Sequence, residues 1–467
     1  MSAVALSSAR TSLTRYSRSA GLWILLLVAP VAARFMIAGR GAHNSVISVS
    51  GQVPWLTSPV LGMELGVVIA TLLLPVAFIY LRSNITRRQP WQVEEPSPGS
   101  RIAVAYGRWL ADLAVLAGVL AGTTLAGIFL ALLMMPLGEV DPLWITITVW
   151  AIAAPPLAMV ASLRILFDAR RWTRGALGEV LFFVFWMGSI VMVMAGDHAQ
   201  GYAAAMTDLD GFMSPLAHGL HGDPNFTIGG GEITAGAPAI HLDVIGGVLN
   251  DGYLAARLTW LAIAALVPLI AGLVYLPHVV GKTRKTPAWL KLLQPGAAKP
   301  AAPDTRDARP SALPWLNLLA AELRLIASGR LTPLAMLAVA VAGWFLPYAK
   351  ATGPAAMLLL VFAATAHAGR TEQGGLLALT RTGYLSPWAR RLAFVVAGTL
   401  LALAMSGAGI GHALMDADTA PLVQALAMGA ATSLTAITLG ALTRGATTPR
   451  LVLLIAWYFY LSWGGGS

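Results

Sequence analysis

Residues Ser97 to Met135 read SPGSRIAVAYGRWLADLAVLAGVLAGTTLAGIFLALLMM. From Trp109 to Met135 only Asp112 is charged, and the run exceeds the roughly 20 apolar residues that cross a bilayer as a helix. The segment before it carries Arg101 and Arg108 and opens on Ser-Pro-Gly-Ser-Arg. A turn, a basic helix start and a long apolar run make this stretch a membrane span entered from a positively charged side.

The rest of the chain supports that reading. Of 467 residues, 57% are hydrophobic and 11% are charged, against about 25% charged in a soluble domain. Apolar runs of spanning length fall at about 20 to 39, 58 to 81, 109 to 135, 143 to 167, 177 to 195 and 253 to 279. Five more fall at about 331 to 348, 354 to 368, 391 to 412, 421 to 443 and 450 to 463. The expectation is therefore an all-α polytopic membrane protein of about eleven spans. With the N-terminus placed in the cytoplasm, alternate connecting segments hold 3, 5, 3, 9, 4 and 2 Lys+Arg, which is 26 of the 31. That asymmetry fixes the expected orientation and suits a bacterial inner membrane. The net charge of +10 is thus spent on topology, and a nucleic-acid surface is not expected. Without a cysteine, the chain has no disulfides, thiolate metal sites or cysteine nucleophiles.

Ser97-Pro98-Gly99-Ser100-Arg101 has a counterpart in Ser386-Pro387-Trp388-Ala389-Arg390. Both lie in an inner loop between the second and third spans of their half, so the chain reads as two parallel units. These are residues 1 to 280 with six spans, and 315 to 467 with about five. A Pro-rich, charged stretch at 281 to 314 forms a cytoplasmic linker between them. Ahead of each first span comes a helical stripe for the inner interface. One is Leu6, Ala9, Leu13, Tyr16 and Ala20; the other is Leu316, Leu319, Leu323 and Ile326, with Glu322 and Arg324 off it.

These residues resemble the permease subunits of ABC-2 type (type V) ABC exporters. In that family the loop between spans two and three carries a coupling helix that meets the ATPase. It reads Glu-x-Gly-Thr-Leu-x-x-Leu-Leu, then Pro-x-Ser-Arg, then Gly-Lys. The second unit supplies Glu372, Gly374, Gly375, Leu376, Leu377 and Leu379; the first supplies Pro98, Ser100, Arg101 and Gly107-Arg108. Trp91-Gln92-Val93-Glu94-Glu95 stands where the first unit would carry Glu-x-Gly-Thr, and Ala389 replaces the motif serine in the second. The resemblance implies ATPase-coupling roles for Glu94, Glu95, Pro98, Ser100, Arg101, Glu372, Arg381, Pro387 and Arg390. It also implies two separate ATPase subunits carrying ATP and magnesium, a hydrophobic or amphipathic substrate, and no cofactor or catalytic residue in this chain. A phosphate-binding loop is missing: Gly281-Lys282-Thr283 has Leu276 where the leading glycine belongs.

Ionisable residues inside spans mark ion pathways. Glu64, Asp112, Arg164, Glu179 and Arg257 fall near span ends, where side chains are expected to snorkel to the interface. Arg34, deeper, could pair with Glu64. Pro30, Pro75, Pro155-Pro156 and Pro268 are expected to break their helices. The outer segment 196 to 251 gathers His and Asp, and His218, His221 and Asp223 have donor types that suit zinc or copper. Three other functions stay open at this stage. One is an integral membrane enzyme acting on a lipid-linked substrate through that outer loop, the second is an ion-coupled secondary carrier, and the third is a non-transporting membrane scaffold.

Overall fold

The computed structural model describes residues 3–19, 22–23, 37, 44–49, 51–85, 99–170, 172–173, 176–194, 201–220, 226–232, 239–250, 252–276, 313–328, 332–376 and 385–463. It divides into two compact units, Met1–Val280 and Gly281–Ser467. Nearly all of the expected first span and of the linker lies outside the described residues, as do Arg34 and Pro30.

In the first unit the elements are α1 (Ala3–Ser17), β1 (Asn44–Val49), α2 (Ser58–Val68), α3 (Leu74–Ile85), α4 (Arg101–Met134), α5 (Pro142–Ala169) and α6 (Ala176–Met194). Then follow α7 (Tyr202–Thr207), α8 (Met213–Gly219), β2 (Phe226–Glu232), α9 (Val244–Leu249) and α10 (Tyr253–Leu273). The second unit holds α11 (Pro314–Ile326), α12 (Thr332–Ala342), α13 (Gly353–His367), α14 (Arg370–Gln373), α15 (Pro387–Met415), α16 (Ala420–Thr443) and α17 (Thr447–Trp463). Among the described residues the fold is helical, in keeping with an all-α reading, with one two-stranded antiparallel pair, β1 with β2. Asn44–Val49, NSVISV, is short and has no strict apolar–polar alternation, so it does not stand out beside the apolar runs.

Among the described residues, α4, α5, α10, α15 and α16 are long and apolar enough to cross a membrane. The pair α2–α3, bent by 47°, would make a sixth. Shorter apolar stretches occupy 181–190, 332–342 and 448–457. Large apolar side chains stand exposed along these helices, among them Phe129 and Leu133 on α4, Leu266 and Leu273 on α10, and Leu434 and Leu442 on α16. Contiguous apolar surface of this kind suits lipid and is costly in water. The helices fit an integral membrane protein.

The first unit is an up-and-down bundle with two distinct ends. At one end the Arg101 guanidinium reaches the Tyr275 carbonyl (3.4 Å) and the Leu276 amide donates to the Ala169 carbonyl (2.9 Å). This brings together the start of α4 and the ends of α5 and α10. At the other end Ser58 at the start of α2 donates to the Glu139 carbonyl (3.1 Å) and accepts from the Asp141 amide (2.8 Å). Small residues let the helices approach: a side-chain carbon at Gly66 would collide with Ile152 on α5.

Two expectations fail here. Pro155 and Pro156 lie inside an unbroken α5, and Pro268 inside an unbroken α10. Packing on neighbouring helices outweighs the lost backbone bonds, as is common in apolar bundles. Among the described residues Pro75 sits at a break, as the second residue of α3, directly after the π-helical turn Ile69–Leu73. The second correction concerns Asp112, Arg164 and Arg257, which do not snorkel. Asp112 is 1%, Arg164 2% and Arg257 3% exposed. Each meets polar groups inside the unit, which removes the need to reach water. Glu64 is buried as well.

Candidate functional site

The second unit carries a charged base built from three separate pieces of chain. Helix α11 begins with Pro314 at its first position, where the missing N–H costs nothing. Leu319, Leu323 and Ile326 face the core formed by α13, α15 and α16. Glu322 shares that face and is only 2% exposed, contrary to its expected position off the stripe. The spacing 319, 322, 323, 326 is the i, i+3, i+4, i+7 pattern of one helical face. A lone carboxylate inside such a pattern is the signal that was missed.

The second piece follows α13. Gly369, at φ +69° and pressed against the Gly440 backbone of α16, turns the chain into α14. Only glycine combines that left-handed conformation with so close an approach. The third piece is the start of α15, where the Ser386 hydroxyl accepts from the Ala389 amide (3.2 Å) and Pro387 takes the first turn. That cap directs Arg390 and Arg391 to the base.

Charges lock the three together. Arg370 (2.7 Å) and Arg390 (3.2 Å) both donate to Oε1 of Glu322, and Arg391 donates to Glu372 (3.0 Å). His367 Nε2 lies 3.1 Å from the Ser328 hydroxyl. Burial pulls the Arg370 guanidinium below its usual range, with Glu322 opposing and Arg390 adding to the shift. Glu322, His367, Arg370, Glu372, Pro387 and Arg390 line a cleft at this point. These ion pairs thus connect α14 to both α11 and α15.

Of the residues expected to couple to an ATPase, the structure thus joins Glu372, Pro387 and Arg390 around one cleft, with Glu322, Arg370 and Arg391 as members sequence reasoning missed. Glu94, Glu95, Pro98 and Arg381 lie outside the described residues. Ser100 precedes α4 without a side-chain cap, and Arg101 makes the carbonyl contact described above.

The first unit has a comparable docked helix. Helix α1 lies on the start of α4, with Gly107 against the Ala5 backbone. Ser8 donates to the Val104 carbonyl (3.3 Å), and Tyr16 donates to Asp112 (2.5 Å). Its buried face is Ala5, Ser8, Ala9 and Tyr16, while Leu6 and Leu13 are exposed, so the expected stripe is corrected by part of a turn. Close approach at Gly107 selects small residues over the leucines.

At the opposite end of that unit, His218 lies 3.7 Å from Asp243, a carboxylate that caps α9 by accepting from the Gly246 amide. His221 and Asp223 fall outside the described residues. Among the described residues no group of three or more His, Cys, Asp or Glu could hold a metal.

The chain matches no family model, no curated protein and no solved structure.

Proposed function

We propose that this chain is the membrane subunit of an ATP-driven exporter of the ABC-2 (type V) class. It crosses the bacterial inner membrane about eleven times from a cytoplasmic N-terminus, as two repeated units. The observation that carries the reading is the Glu322 bridge. It ties an amphipathic helix, the loop after the second apolar helix and the start of the third into one body, and the first unit docks α1 on α4 in the corresponding position. A loop so connected is suited to pass a push from a soluble motor to the bundle. Residues 82 to 108 and 369 to 391 would meet two ATPase subunits, which hold ATP and magnesium, while the membrane halves pass a hydrophobic or amphipathic substrate.

The test is co-purification. A tagged chain in mild detergent should retain an ATP-binding subunit, and reversing Glu94, Glu95 and Arg101 together should release it. A pure chain that transports without such a partner would overturn the reading.

A second reading, an ion-coupled carrier, draws on a specific observation: Asp112, Arg164, Asp168, Asp208, Asp210 and Arg257 are all buried in the first unit. Collapse of the proton gradient would stop transport by a carrier and leave an ATP-driven exporter running.

A further inference from the structure

The segment between α7 and α8 enters the first unit beside α6, α5 and α10. Its polar groups are assigned almost completely. Asp208 accepts from the amides of Gly211 (2.8 Å), Met213 (2.9 Å) and Ser214 (3.1 Å), so its carboxylate caps α8. Arg257 of α10 donates to the carbonyls of Leu209 (2.9 Å), Ala205 (3.0 Å) and Asp208. Tyr253 donates to the Gly211 carbonyl (2.6 Å). The guanidinium is thus engaged by backbone and forms no hydrogen bond to Asp210 among the described residues.

Asp210 is 0% exposed. One oxygen lies 3.1 Å from the Ser189 hydroxyl of α6, and the other has no hydrogen-bond partner among the described residues. Ser189 has a single proton and also lies 2.8 Å from the Trp186 carbonyl, which can only accept. Both contacts are full hydrogen bonds only if Ser189 donates to Trp186 and Asp210 itself donates to Ser189; otherwise the single hydroxyl proton is split between two acceptors. A charged Asp210 would instead be a buried anion with one shared donor, which is costly.

We propose that Asp210 is a proton-binding site, holding a proton in this conformation and donating it to Ser189 as a latch between the α7–α8 segment and α6. Asp208 and Arg257 are the charged groups facing it, and neither gives it a hydrogen bond. Burial and the nearby Asp208 charge push the Asp210 carboxyl up to about 7, in keeping with that state. Loss of the proton releases the segment from α6. The site does not depend on the exporter reading, since a proton-controlled latch would serve an exporter or a carrier.

Infrared spectroscopy of the purified chain, titrated through neutral pH, reads the site directly. The carboxylic-acid C=O band of a buried acid should vanish as pH rises past about 7, and Asp210→Asn should remove that component while Asp208→Asn retains it. The chain has no cysteine, so Ala205→Cys, at a buried position on α7, reports opening without background. The labelling rate is divided at each pH by that of a free thiol, whose reactive thiolate also grows with pH. That ratio should rise above neutral pH, and should stay low when Asp210→Asn is added, because the amide still donates to Ser189. An acid band unchanged by Asp210→Asn, or a labelling ratio that ignores both pH and Asp210→Asn, would overturn the proposal.

Discussion

Replacing Glu322 by Gln keeps the shape of the side chain and removes the charge that Arg370 and Arg390 share. The carboxylate is 3% exposed at its side chain, while the two guanidinium side chains are 31% and 28% exposed. An exposed pair contributes about 0–1 kcal/mol, and breaking a fully buried one costs roughly 3–5 kcal/mol. A buried acceptor between two part-buried donors falls between these, at about 2–3 kcal/mol. For a body of the second unit's size, about 2–4 °C per kcal/mol gives an apparent Tm lowered by about 4–12 °C. Tryptophan-detected melting in detergent measures it. The same melt on Arg390→Gln and on the double variant closes a cycle, whose coupling should exceed about 0.5 kcal/mol because the groups are in contact. High salt should weaken the coupling little, since Glu322 is screened poorly by ions. A Tm within a degree of the parent for Glu322→Gln, or strict additivity with Arg390→Gln, would refute the idea that this carboxylate holds the base together.

Three further outcomes follow from the same geometry. Gly369→Ala should destabilise the second unit by about 1–2 kcal/mol from the left-handed backbone alone, and by more because the new carbon meets the Gly440 backbone; a melt unchanged by this substitution would contradict the close approach. Gly107→Val should lift α1 from α4 by crowding the Ala5 backbone, at a cost of about 1–3 kcal/mol, and limited proteolysis near residue 17 should then speed up. Asp210, raised to about 7 from about 3.9 in an unfolded chain, makes the folded state bind the extra proton between those values. Its contribution to stability therefore falls as pH rises from about 4 to about 7 and levels off above, by at most about 4 kcal/mol, and Asp210→Asn should flatten that part of the melting profile.

Much of the architecture can be read from local composition. Helix α4 follows from an uninterrupted apolar run and its basic start, α15 follows likewise, α16 follows from its apolar run alone, and helices α1 and α11 were expected at their positions. These features depend on residues near one another in the chain, where helical period and apolar length act directly. Proline was misleading for the same reason: Pro155 and Pro156 look like breakers locally, but neighbouring helices supply what the backbone loses.

The pairings of buried charge lay beyond that reach. Glu322 finds Arg370 48 positions away and Arg390 68 positions away, and Tyr16 finds Asp112 at a separation of 96. Whether a carboxylate on an apolar face is a defect or a joint depends on what packs against it, and a helical period contains no record of that. By itself the sequence determined where apolar helices run and how basic residues are distributed between their ends, because both are properties of short segments. Only the tertiary structure decided which face of α1 is buried, that Asp112, Arg164 and Arg257 stay inside, and that Arg370 and Arg390 meet on one oxygen. The physical reason is that desolvating a charge is acceptable only where distant residues complete its hydrogen bonds.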